Sequence, residues 1–465
     1  MGNQPCTSAP AELAALGRIE RRELLQQQGS ESSHPTYVKE LGPDEDYGPR
    51  GASDDALHGI GYRTAQIPPN GSTELPFGKK VSRTARWLPA YAWQRIARRA
   101  PHRGVHLIIV LADHFEPSIV PYDGTARMPY DEQERRLEHW CREYPRAFGS
   151  WRDSDGRPFV HTYFYPAEQY DKRLLQRLAS LCKEGWGEIE THLHHGTQGP
   201  DTEENTRRQL LEFRNAVASE HGGLSYLDGV GPPRYAFVHG NYALANSDGG
   251  LNCGVDSELQ LLAETGCYAD FTLPPGPFYR SHITKINALY ECHRPLTRRA
   301  AHRSGRDLEC GRSPSLFPLM VEGPLMLDFG RPGGRLINVE NGSLAAKNHP
   351  SLRRLKLWKQ AAISVKGRPD WLFIKLQCHG MDPRDKDVML GEPMQRFLRE
   401  LIEGAHDRSE IPHFFSAREM VNAILAASDG WEGNPGEYRD YRLKRTRLPS
   451  RQTAPLQNAR LVAET

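Results

Sequence analysis

Hydrophobic positions along this chain fall into short continuous runs that alternate with stretches of helical period. The first run, His106–Ala112 (H-L-I-I-V-L-A), is uninterrupted and rich in β-branched residues, the pattern of a strand buried on both faces of a parallel sheet. It ends in Asp113-His114. A helical pattern follows at Pro129–Tyr144, with Leu137 and Trp140 on its apolar side, then a strand at Pro158–Tyr165, a helix at Lys172–Glu184 and a strand at Gly187–His192. Asp201-Thr202-Glu203-Glu204 opens a helix to about Ser219, with Asp201 as its expected cap and acidic residues in the first turn. Further strands are expected at Arg234–His239, Tyr268–Thr272, Trp371–Leu376 and His413–Phe415, and further helices at Asp256–Thr265, Ser351–Ile363, Pro393–Glu403 and Ala417–Ala427. Strands alternating with helices over about 320 residues predict an α/β fold built from parallel βα units.

The ends of the chain read differently. Residues 1–100 are mostly polar and predict a disordered arm, with one short helix where Leu13, Leu16, Ile19, Leu24 and Leu25 recur at helical spacing. Within it, Val81–Arg99 mixes Trp87, Tyr91, Trp93 and Ile96 with arginines and is interrupted by Pro89; packing on the following domain is preferred over a membrane-surface role. The ordered domain is expected over 101–430, with a looser, Arg/His/Gly-rich insert around 274–350. Residues 431–465 turn basic and Pro/Gly-rich, the composition of a tail.

The 465 residues carry 60 Lys+Arg against 58 Asp+Glu, so charge gives no argument for a nucleic-acid or anionic-membrane partner. Eight scattered cysteines without a C-x-x-C pair speak against a thiolate ribbon or a disulfide framework and for a reducing, cytoplasmic setting. No secretory signal is legible, and no stretch approaches the roughly 20 apolar residues of a membrane span.

Chemistry enters at the strand ends. In parallel sheets the carboxyl ends of strands build the site. There the chain places Asp113 and His114, then His192, His194 and His195, then His239 and Asn241, then Asp270 and His379. Clustered imidazoles beside carboxylates are the donor set of a borderline divalent metal, zinc first. The sequence offers no G-x-S-x-G, no phosphate loop and no G-x-G-x-x-G after a strand, so acyl-enzyme and nucleotide chemistry have no support.

The motifs L-A-D-H-F-E-P (Leu111–Pro117), E-I-E-T-H-L-H-H-G (Glu188–Gly196) and L-Q-C-H-G (Leu376–Gly380), in that order, resemble those of the NodB-like polysaccharide deacetylases, over about Val105–Phe415. The resemblance implies an irregular (β/α) barrel of about seven strands and a divalent metal. It also implies a hydrolase that cleaves the amide of an N-acetylated sugar. Asp113 then resembles the family's general base, His379 its general acid and Asp270 the late Asp that orients a catalytic partner. His114 stands where the family has a second Asp as metal ligand. His192 matches the first His of H-x-x-x-H, whose second falls on Gly196, leaving His194 or His195 to supply the ligand. V-H-G-N-Y replaces the family's Arg-Pro-Pro, so His239, Asn241 and Arg234 are the candidates to line the sugar pocket. Two alternatives stand beside this reading: a barrel that binds carbohydrate without turnover, and a glycosidase, which needs two carboxylates across the sugar. The sequence leaves the oligomeric state open.

Overall fold

The computed structural model describes residues 77–98, 104–121, 126–274, 281, 285–330 and 337–446; most of the expected N-terminal arm, residues 1–76 with its expected short helix, and the end of the expected tail lie outside them. In chain order the described elements begin with α1 (Phe77–Ala97), β1 (Val105–His114), α2 (Tyr130–Phe148), β2 (His161–Pro166), α3 (Lys172–Lys183), β3 (Gly187–Leu193) and α4 (Glu203–Glu220). There follow β4 (Ser225–Leu227), β5 (Val230–His239), α5 (Glu258–Thr265), β6 (Cys267–Asp270), β7 (Leu289–Cys292), β8 (Gly305–Asp307), β9 (Leu319–Val321), β10 (Met326–Asp328) and β11 (Asn338–Glu340). The last are α6 (Leu352–Gln360), β12 (Trp371–Cys378), α7 (Lys386–Met389), α8 (Glu392–Glu403), β13 (Glu410–Phe414), α9 (Ala417–Ser428) and β14 (Leu443–Lys444).

The main sheet has 12 strands, with the pairing order β12-β1-β2-β3-β5-β6-β9-β7-β8; β13 adds to β1, and β4 with β14 to β5. From β12 to β9 every pairing is parallel, and β7 and β8 extend the sheet antiparallel. The ends of that path, β12 and β8, do not pair, so the described strands form an open sheet and not a closed barrel. The insert expected to be loose supplies β7 to β11.

Side chains alternate across a strand, and β1 shows what this does here. Leu107, Ile109 and Leu111 pack into one core with α2, α3 and α8, whereas Ile108, Val110 and Ala112 pack into a second core under α9. Both faces are buried, which explains the unbroken apolar run in the sequence. The same alternation sends Asp113 and His114 to opposite faces. β3 and β5 obey it too: Ile189 and Leu193 join the first core with Tyr235 and Phe237, while Ala236 and Val238 join the second.

Three local expectations are corrected. α1 runs through Pro89 without a break, and Trp87 is buried against Ile286 and Leu325. Thr202, not Asp201, caps α4, its hydroxyl accepting the Asn205 amide at 3.2 Å, because Asp201 is committed elsewhere. The first part of the expected tail, 431–446, is packed: Arg439 is buried, donating to Asp153 (2.8 Å), Asp155 (3.0 Å) and Glu419 (3.1 Å).

Candidate metal centre

At the carboxyl end of the sheet, on the face of the second core, His114, His192, His194 and His379 gather around Glu116. Glu116, two residues beyond His114 and just past the end of β1, is common to two ligand-competent sets: Glu116 with His192 and His194, and Glu116 with His114 and His379. The rings lie close, with centroids 5.0 Å apart for His114 and His192, 4.8 Å for His114 and His379, and 4.4 Å for His192 and His194.

Hydrogen bonds fix which nitrogen each ring presents. His192 Nδ1 lies 2.7 Å from the carbonyl oxygen of Val238, its register partner on β5. A carbonyl only accepts, so Nδ1 carries the proton. Nε2 then faces Glu116 Oε1 at 3.3 Å, a lone pair toward a carboxylate unless a cation or a proton stands between them. His194 is held the same way: its Nδ1 donates to Glu168 Oε1 at 2.8 Å and its backbone amide to Glu168 Oε2 at 3.2 Å. Its Nε2 lies 3.9 Å from Glu116. Acceptors that fix the distal ring nitrogen are the usual outer shell of a metal-binding histidine. His114 is buried, and its Nε2 has no hydrogen-bond partner among the described residues.

The electrostatics follow from this crowding. Burial opposes the Glu116 carboxylate, but the His194 and His192 rings outweigh it and draw its pKa down to about 2. Burial, reinforced by His379 and His192, holds His114 well below the usual imidazole range. Burial also lowers His192, with His194 adding to the effect. His194 moves upward, because Glu116 and Glu168 outweigh its desolvation. The donors are imidazole and carboxylate, a set that suits a borderline divalent ion. The residues present thus fit a metal, and the half-buried His379, His194 and Glu116 leave the centre open on one side.

The remaining expected site residues fall elsewhere. Asp113 points to the other face of β1, fully buried, where it accepts His161 Nδ1 at 2.9 Å and the Gly380 amide at 2.7 Å. His195 turns away from His194, and its Nε2 lies 3.0 Å from His239 Nε2 and 2.8 Å from Glu258. Asp270 is buried and bonded to Thr272 through the backbone amide (3.1 Å) and the hydroxyl (2.7 Å). Burial pushes its pKa up to about 7, against those bonds and Lys375. Asn241 is exposed beside Asn252. Arg234 sits in the middle of β5, paired with Ser225 just before the strand enters the parallel sheet at Tyr235, whereas His239 ends that strand. Five residues separate them, roughly 16 Å of strand, so Arg234 and the metal centre occupy opposite ends of the sheet.

Three participants went unselected in the sequence. Glu116 continues the period-two alternation of His114 and was legible there. Glu168, in the short helical turn Ala167–Gln169 after β2, and Tyr242, whose ring centroid is 6.2 Å from that of His114, depend on loops whose paths no local pattern encodes. Comparison with family models, curated proteins and solved structures found no match to this chain.

Proposed function

We propose that the protein is a metal-dependent hydrolase acting on an N-acetylated sugar. The observation that carries this is the set of imidazoles whose distal nitrogens are tied to Val238 and Glu168 and whose Nε2 atoms converge on Glu116. Glu116, His192 and His194 would hold a divalent ion, zinc by donor type, with His114 beside them. Bound there, the ion supplies Lewis acidity toward an acetyl carbonyl and lowers the pKa of water. Glu116 contributes negative charge at the ring cluster, and Glu168 keeps His194 in the ligating tautomer. His379, on the open side, is the group placed to protonate a leaving amine. Asp113 acts indirectly: by accepting the Gly380 amide it fixes the turn that carries His379.

The substrate class rests on the order of the three sequence motifs. On this reading the open sheet is an incomplete barrel of the deacetylase type, supported by the gathering of the cluster at the carboxyl ends of parallel strands. We also infer a cytoplasmic setting, supported by the free state of the seven described cysteines. One observation favours a second reading, carbohydrate binding without turnover: the expected base, Asp113, has both oxygens engaged away from the cluster.

The test is acetate release from a panel of N-acetylated glycans by zinc-loaded protein, alongside His192→Ala. Metal-dependent release that falls by roughly 100-fold or more in the variant is expected, since the loss of an essential catalytic element is commonly worth that much. Sugar binding without release would establish the second reading, and absence of both would end the first.

A further inference from the structure

We propose that His195, His239, Cys253 and Glu258 form a second metal site, closed and structural, separate from the open cluster around Glu116. The proposal does not rest on the hydrolase reading. His195 Nδ1 donates to Asp201 Oδ2 at 2.9 Å, and His239 Nδ1 to the Gly240 carbonyl at 2.5 Å. Both rings therefore turn their Nε2 atoms inward. Those atoms are 3.0 Å apart, and they lie 2.8 Å and 3.2 Å from the same carboxylate oxygen, Glu258 Oε1. Cys253 Sγ closes the group at 3.7 Å from Glu258 Oε2, and the four ligand atoms all fall within 4.8 Å of one another.

A tetrahedral zinc with bonds of about 2.0–2.3 Å holds its ligand atoms roughly 3.2–3.7 Å apart. The separations here straddle that range. One thiol, two imidazoles and one carboxylate make a four-donor borderline set, and none of the four residues is more than 4% exposed. No position is left for water or substrate, which is the mark of a structural centre rather than a catalytic one. The competing explanation is one doubly protonated imidazole shared between Glu258 and the other ring, with the Cys253 thiol bonded to the Val255 carbonyl at 3.7 Å.

The surroundings are built to hold this group. Asp201 accepts from His195 and from the Thr206 hydroxyl (3.0 Å), and the Ala245 amide donates to Glu258 Oε2 at 2.6 Å. Gly196, at φ +62°, lies so close to the Cys253 backbone that any side chain there would collide with it, and the Asp201 amide bonds the Cys253 carbonyl at 2.8 Å. Between the two ligand pairs the chain takes positive φ at Asn241, Tyr242, Ala245, Asn246 and Asn252, conformations that non-glycine residues keep only where the surroundings impose them. A four-ligand ion spanning the loops after β3 and β5 and the first turn of α5 would impose them.

The experiment is cobalt(II) substitution of the full-length protein, read as thiolate-to-cobalt charge-transfer absorption, with metal content and melting temperature measured beside it. The open cluster around Glu116 contains no thiol and gives no such band. The band is expected in the wild type, kept in His192→Ala and in Cys378→Ser, and lost in Cys253→Ser together with one equivalent of metal. Cys378→Ser is included because Cys378 adjoins Asp113 and His161. Should Cys253→Ser not fold, Glu258→Gln decides the matter, with metal affinity expected to fall roughly tenfold or more. A wild type without the band, a band that survives Cys253→Ser, or unchanged affinity in Glu258→Gln overturns the proposal.

Discussion

Lys375 shows how little the sequence says about a single buried side chain. It sits in the middle of β12, in W-L-F-I-K-L-Q-C, and is 1% exposed, with no hydrogen-bond partner for Nζ among the described residues. Burial pulls its pKa down to about 7, only partly offset by Asp270 and Glu322. A buried amine without a hydrogen bond is destabilising, and methionine has nearly the same shape. Lys375→Met should therefore raise unfolding free energy at pH 6 by roughly 1–3 kcal/mol in urea titrations; a loss would mean that the amine has a partner of functional weight. At this scale the imidazoles were legible, because three histidines within four positions are conspicuous. Their partition was not: His194 and His195 are neighbours in sequence, and only the path of the loop sends one toward Glu116 and the other toward Glu258. Cys253 and Glu258 lie 58 and 63 positions from His195 and carry no local signal of their association.

At the scale of elements, the periodic segments were largely legible. The continuous apolar runs became β1 and β12, and the amphipathic stretches became α2, α3 and α8, with boundaries shifted by a few residues. What failed was the inference from composition. Charged, Pro/Gly-rich sequence after Gly430 reads as a tail, yet Arg439 docks that segment by a buried guanidinium that also lies 3.9 Å over the Phe415 ring. Three carboxylates, Asp153, Asp155 and Glu419, depend on it. Removing one member of a buried ion-pair network leaves charge uncompensated, at a cost of roughly 3–5 kcal/mol, although here each carboxylate keeps other donors, among them the Phe414 amide for Asp153, Asn434 for Asp155 and the Ser416 amide for Glu419. Arg439→Ala should lower stability by about that amount, measured by thermal or chemical unfolding. A change near zero would mean that the segment contributes nothing to holding β13 and α9 together.

For the whole molecule, the consequence is a pH dependence. Burial pushes Glu322 up to about 8, against Lys285, the Ala288 amide and Lys375. Its unfolded value is the ordinary 4.5. Between those limits the folded chain holds a proton that the unfolded chain has released. The stabilisation is therefore complete below about pH 4.5 and is lost as pH rises through about 8. Each unit of displacement is worth about 1.4 kcal/mol at full effect. Glu322→Gln keeps an acceptor for the Ala288 amide (3.0 Å) and removes the titration. Unfolding free energies of the variant should fall less than those of the wild type between pH 5 and 8, and parallel curves would refute the assignment. The α/β class and the strand-end position of the histidine cluster were legible at this scale, because parallel topology fixes both. An open sheet in place of a closed barrel was not, since closure depends on which edge strands meet.

His194 and His195 are joined by one peptide bond and serve two clusters on different sides of the chain. Inserting one residue between them would shift one ring out of register with its cluster, so this junction tolerates a change in length no better than the loss of either imidazole. A lineage that abandoned the thiol-bearing centre would also have to re-sculpt the turn that aims His194. The two clusters are thus expected to drift together over evolutionary time, one constraining the other through the shortest covalent tether a polypeptide has.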